Sequence, residues 1–168
     1  MQSRTAKAIL VGAFVVALAS PQGCANPTFA EADPTALAPL DEPTFRCTVE
    51  PIVLKQCSYL GCHGRQDMPF RVYAVGALRI MGGQTSAGRA QPLTDAEHHA
   101  NFLSALGQSF HTPSTSNQLV LKGLPAQDGG YAHVGGAIWS GRDDPRVQDL
   151  LSWLDGTASG CPDAGAAP

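Results

Sequence analysis

The chain predicts a small, mainly α domain with long glycine-rich loops, and three observations carry that prediction. Phe45, Val49, Ile52 and Val53 recur at helical spacing. Asp144-Pro145 is a helix start, with Asp as cap and Pro at the first helical position, followed by a stripe of Val147, Leu150, Leu151 and Leu154 and stopped by Gly156. Thr94-Asp95-Ala96-Glu97 is a capping box ahead of a third stripe. With 18 Gly and 13 Pro among 168 residues, 43% of them hydrophobic and 15% charged, one modest domain with much loop is expected.

Taken in order, residues 1–23 read as an export signal. Arg4 and Lys7 form a positive start, Ala8 to Ala19 is apolar, and the run is too short for a permanent membrane helix. Ala17-Leu18-Ala19 suits ordinary signal peptidase, whereas Gly23-Cys24 resembles the end of a bacterial lipobox, with Pro21 and Gln22 departing from its usual residues. Lipidation of Cys24 is the expectation, which puts the protein in the periplasm or cell envelope, held to a bacterial membrane by a lipid anchor. Residues 24–44, rich in Pro and Ala, read as an extended tether. The folded domain is expected over residues 45–161, and 162–168 as a frayed tail. A net charge of -3 and a pI near 5.9 leave no basic stripe to neutralise phosphates, so nucleic acid is not an expected partner.

The first helix is expected to run into Cys57, with Pro51 near its first turn or at a kink. The third stripe places His99, Leu103, Leu106 and Phe110 inward, which makes His99 a hydrogen-bonded core residue before it is a ligand, and leaves His98 and His111 solvated. Gly82-Gly83, Gly129-Gly130 and Gly135-Gly136 mark loops with positive φ or close backbone approach. Trp153 reads as core packing and not as an electron relay.

The chemistry lies in Cys57-Ser-Tyr-Leu-Gly-Cys62-His63. Five cysteines in an exported chain leave one unpaired or modified. If Cys24 is acylated and Cys57 with Cys62 act as one unit, Cys47 and Cys161 remain for a disulfide joining the ends of the domain. A Cys57–Cys62 disulfide is the plainer alternative. Zinc would want a second knuckle, and none of His98, His99, His111 or His133 pairs with another cysteine at finger spacing. Haem needs two thiols for its vinyl groups and a histidine directly after the second, and Cys62-His63 supplies that adjacency.

These residues resemble the c-type cytochromes, whose usual C-x-x-C-H motif is widened here to four intervening residues, a variant found in some multihaem cytochromes. "VEPIVLKQC", "GGYAHVGGAIW" and "DDPRVQDLLSWLDG" are similar to segments of cytochrome c domains in exported bacterial proteins, especially those of planctomycetes and myxobacteria, over roughly residues 45–157. The resemblance implies a cytochrome c-like fold wrapped around one covalent haem c on Cys57 and Cys62. It also implies His63 as proximal iron ligand and a terminal helix crossing the first, where a Cys47–Cys161 bridge would fasten both ends.

For the distal ligand, Met68 lies too near His63 to reach the opposite face and reads as a core filler. His133, distant in sequence and flanked by glycines where similar domains carry a histidine before Gly-Gly, is the first choice. Met81 is the runner-up, then His99, His111 or an open site. The resulting function is a monohaem electron carrier with unknown redox partners, not an enzyme. An enzyme or gas sensor with an open distal position would want an acid or base beside the haem, and none is evident. A haem-free, disulfide-stabilised envelope lipoprotein with a binding or structural role is the alternative.

Overall fold

Three longer helices, three of about one turn and the loops between them build the domain in the computed structural model, which describes residues 40–80, 84–109 and 113–161. The described part is mainly helical. Among the described residues the one β pairing is an isolated bridge between Tyr73 and Leu78.

The chain enters through α1, Glu42–Thr44, whose N-cap Asp41 accepts a hydrogen bond from the Thr44 amide at 2.9 Å. This helical turn precedes the expected boundary at Phe45 because Leu40 packs on the core and the Asp41 carbonyl accepts from the Trp153 indole at 3.3 Å. A π-helical stretch, Phe45–Val49, leads into α2, Glu50–Cys57. Pro51 explains the widening: it has no amide hydrogen and its ring crowds the carbonyl four residues back. A π turn, closed by the Glu50 amide on the Phe45 carbonyl, relieves that crowding. The first helix thus reaches Cys57 with a proline inside it.

After the loop that carries His63 come the short α3, Ser86–Arg89, and then α4, Asp95–Ser109. The capping box forms as expected: the Glu97 amide donates to Thr94 Oγ1 at 3.3 Å and the Thr94 amide to Glu97 Oε2 at 2.9 Å. The short α5, Gln118–Leu121, is capped by Asn117, and α6, Pro145–Leu154, by Asp144. Gly156, at φ 66°, stops α6.

The core joins the beginning and end of the chain. Phe45, Phe102 and Trp153 form an aromatic cluster with centroids 5.4 to 6.5 Å apart, and Val49, Val147 and Leu150 pack into the same buried group. Trp153 is 1% exposed, a core residue. Cys47 and Cys161 lie at disulfide distance, with Cα atoms 5.5 Å apart across a sequence separation of 114 residues.

The inward face of α4 differs from the expected stripe. Glu97, Asn101, Phe102, Ala105 and Ser109 are buried, while Leu103 is exposed. Hydrophobicity alone misplaces this face because three of its inward residues are polar and have partners; the Ser109 hydroxyl donates to the Ala105 carbonyl at 2.8 Å. Asn101 bridges Glu50 Oε1 and the Tyr73 backbone. Glu97 holds Arg79 in a buried two-pronged ion pair at 2.8 Å, and the carbonyls of Gly88, Gln91 and Pro92 accept the other Arg79 hydrogens. His99 is therefore not a core residue but an exposed partner of Glu42 at 2.7 Å. His98, expected in solvent, is partly covered, its Nδ1 2.7 Å from the buried Glu50 carboxylate. Phe110 and His111 fall outside the described residues.

Candidate functional site

Residues 57–72 form an arm that presents His63. Cys57 ends α2, and the chain turns so tightly that the His63 amide returns to the Cys57 carbonyl at 3.1 Å. The extra residues of the wide cysteine spacing are absorbed by an outward bulge. Tyr59, Leu60 and Gly61 are exposed, and the Tyr59 carbonyl accepts from the amides of Cys62 at 2.8 Å and Gly64 at 3.0 Å. Gly64 is required by this turn: a Cβ there would lie 1.9 Å from the Ser58 carbonyl oxygen.

The imidazole of His63 is then oriented. Its Nδ1 lies 2.8 Å from the Phe70 carbonyl, which can only accept, so Nδ1 carries the hydrogen and Nε2 keeps its lone pair for a ligand. Burial pushes the His63 pKa below its ordinary value. The Phe70 carbonyl opposes that shift, and the charges of His133 and Lys122 add to it. Cys57, on the same wall, has its thiol pushed up to about 12 by burial and by neighbouring Cys62, so it is a neutral thiol near pH 7. Cys57 and Cys62 are both free and half-buried.

A second arm, residues 131–138, presents His133 across from His63. Its ends are pinned, by the Tyr131 amide on the Leu121 carbonyl at 3.0 Å and the Ile138 amide on the Gly123 carbonyl at 2.8 Å. Between them the Gly136 amide turns back on the His133 carbonyl at 2.8 Å. Gly135 lets the ring lie against the backbone: a Cβ there would sit 3.0 Å from His133 Cε1. The two imidazoles are parallel to within 9° with centroids 5.9 Å apart. Two imidazole nitrogens bound from opposite sides to one metal, at about 2 Å each, place their ring centroids about 6 Å apart.

Both rings, with Cys57, line a cavity of about 280 Å³. Its walls are Ile52, Val53, Leu119, Ile138, Trp139 and Leu150. Met68, expected as a core filler, also reaches this wall. His98 and His99 do not line it, and Met81 and Cys24 fall outside the described residues. Among the described residues no three His, Cys, Asp or Glu side chains converge as a metal cage would require. An apolar cavity lined by two parallel imidazoles, with a thiol on its wall, has room and ligands for a flat metal-bearing group.

Several contributors were not singled out from the sequence. Phe70 acts through a backbone carbonyl, which has no side-chain signature. Gly64 follows the histidine directly, and that adjacency is a usable signal for a tight turn. Gly123 lies under the Trp139 indole, where a Cβ would come within 2.2 Å of Nε1, a contact made only by the tertiary fold.

Compared with known proteins, the chain matches no protein-family model, no curated protein and no solved structure. No helix among the described residues is long and apolar enough to cross a membrane.

Proposed function

We propose that this protein is an exported, lipid-anchored monohaem c-type cytochrome of cytochrome c-like fold that carries electrons in the periplasm or cell envelope. The observation that carries the reading is the parallel pair of imidazoles, His63 and His133, 5.9 Å apart on an apolar cavity that Cys57 also lines. Cys57 and Cys62 would bind the haem covalently, with His63 as proximal and His133 as distal ligand. The haem, when bound, supplies an iron that cycles between ferrous and ferric states. The chain's own residues do the rest. The Phe70 carbonyl fixes the tautomer of His63, Gly135 admits His133, and the aliphatic residues with Trp139 give the cavity an apolar wall. Two imidazoles favour ferric iron more than imidazole and thioether together, so the potential should lie below that of a His/Met relative. With both axial positions filled by the protein, a carrier is favoured over a catalyst.

Haem-stained denaturing gels and a mass spectrum of protein from a host with its own haem-ligation machinery test the reading. Wild type should carry one covalent haem and a lipid on Cys24, and Cys57→Ala with Cys62→Ala should remove the covalent link. Wild-type protein from that host without haem would overturn it. It would favour the second reading, a haem-free envelope lipoprotein whose ends are joined by Cys47–Cys161, a link that needs no cofactor.

A further inference from the structure

The cavity that both imidazoles line is apolar on most of its wall, and its other polar side chains come from neighbouring helices. Gln108 lies in the last turn of α4. Gln118 and Lys122 are four residues apart, at the start of α5 and at its C-cap, and so share one helical face. Besides the two histidines and Cys57, these three supply the polar side-chain groups left to bind something, because the Trp139 indole already donates to the Val120 carbonyl. Lys122 is the one fully charged group lining the cavity among the described residues, and no carboxylate accompanies it there. Lys122 is exposed and Gln108 and Gln118 are half-buried, and among the described residues none of the three side chains is engaged by another, so all three are free to turn to a ligand. Aliphatic walls with an exposed ammonium and two half-buried amides along one edge complement an apolar ligand that is anionic at one edge.

We propose that Lys122, with Gln118 and Gln108, forms a carboxylate-binding edge of the cavity and holds a propionate carboxylate of the bound haem. This rests on the haem reading above and adds a role for residues that neither attach nor ligate the haem. Lys122 neutralises one carboxylate beside the iron, and the amides donate to its remaining lone pairs. Without the ammonium the carboxylate stands uncompensated next to a poorly hydrated centre, and ferric iron, the more positive state, is stabilised.

The test uses the full-length protein with its covalent haem, comparing wild type with Lys122→Met, Lys122→Arg and Gln118→Leu. Two quantities are read: the midpoint potential at fixed pH and ionic strength, and the carboxylate bands in the redox-difference infrared spectrum. Lys122→Met should lower the potential and shift the carboxylate bands, Lys122→Arg should restore both towards wild type, and Gln118→Leu should shift the bands in the same direction by less. Haem-loaded Lys122→Met with wild-type potential and bands would overturn this inference and leave the haem reading standing. Wild type that carries no haem would overturn both.

Discussion

The two arms that face each other across the cavity are built in opposite ways. The arm carrying His63 is closed by contacts within sixteen residues: the Cys57, Tyr59 and His63 carbonyls each accept from the arm's own backbone, and the Phe70 carbonyl takes the ring hydrogen at 2.8 Å. The arm carrying His133 is pinned at its ends to another part of the chain, the Leu121 and Gly123 carbonyls, and among the described residues the one hydrogen-bond contact of its ring is at 3.5 Å, to the Gly136 carbonyl. One imidazole is therefore oriented by its own segment, while the other is positioned by the fold and admitted by glycine. The first is a firm anchor, and the second is the one to give way when the site is disturbed.

Changes to the scaffold should disturb both arms together. Cys47→Ser removes a link that closes a loop of more than a hundred residues, and stability should fall by about 4 to 5 kcal/mol in denaturant melts. Next in size, Glu97→Gln leaves the buried Arg79 guanidinium without its counter-charge and should cost about 3 to 5 kcal/mol. The Arg79 guanidinium beside Glu97 holds its pKa to about 2, below the ordinary 4.5. That stability is present above pH 4.5 and is lost as acid protonates Glu97 between those values. The variant should lack this part of the acid transition.

Local changes should separate the arms. Gly64→Ala drives a Cβ into the Ser58 carbonyl and should cost up to about 3 kcal/mol, with loss of haem attachment. Gly135→Ala meets only the His133 ring edge, so melting should change by less than about 1 kcal/mol while part of the haem spectrum turns high-spin. Equal effects from the two substitutions would break the distinction. The smallest effect is from pH on haem-free protein. Burial lowers the folded pKa of His63, so the unfolded chain takes up its proton first. Stability should therefore fall as pH drops below the ordinary histidine value near 6.5. His63→Gln should flatten that slope.

What could be read from the sequence follows the same division. Thr94 with Glu97, Asp144 with Pro145, and Gly156 act within one turn of chain, and each cap or stop stands where its residues put it. The adjacency of Cys62 and His63 is equally local. The inward face of α4 departs from its apolar periodicity because Asn101 and Glu97 are buried by partners 51 and 18 residues away, which no periodicity encodes. No local signal marks His133, since its approach to His63 depends on how α5 and Gly123 hold the second arm. The π turn before Pro51 was legible only as a kink.

The central claim, that His63 and His133 ligate one iron from opposite faces, is tested most directly by the spin state of the haem-loaded protein. Wild type should be low-spin, without a methionine-to-iron charge-transfer band, and should not bind carbon monoxide when reduced. His133→Ala should turn high-spin and bind it, while Met81→Ala and His99→Ala stay low-spin. A methionine charge-transfer band in wild type, or a high-spin change produced by Met81→Ala and not by His133→Ala, would contradict it.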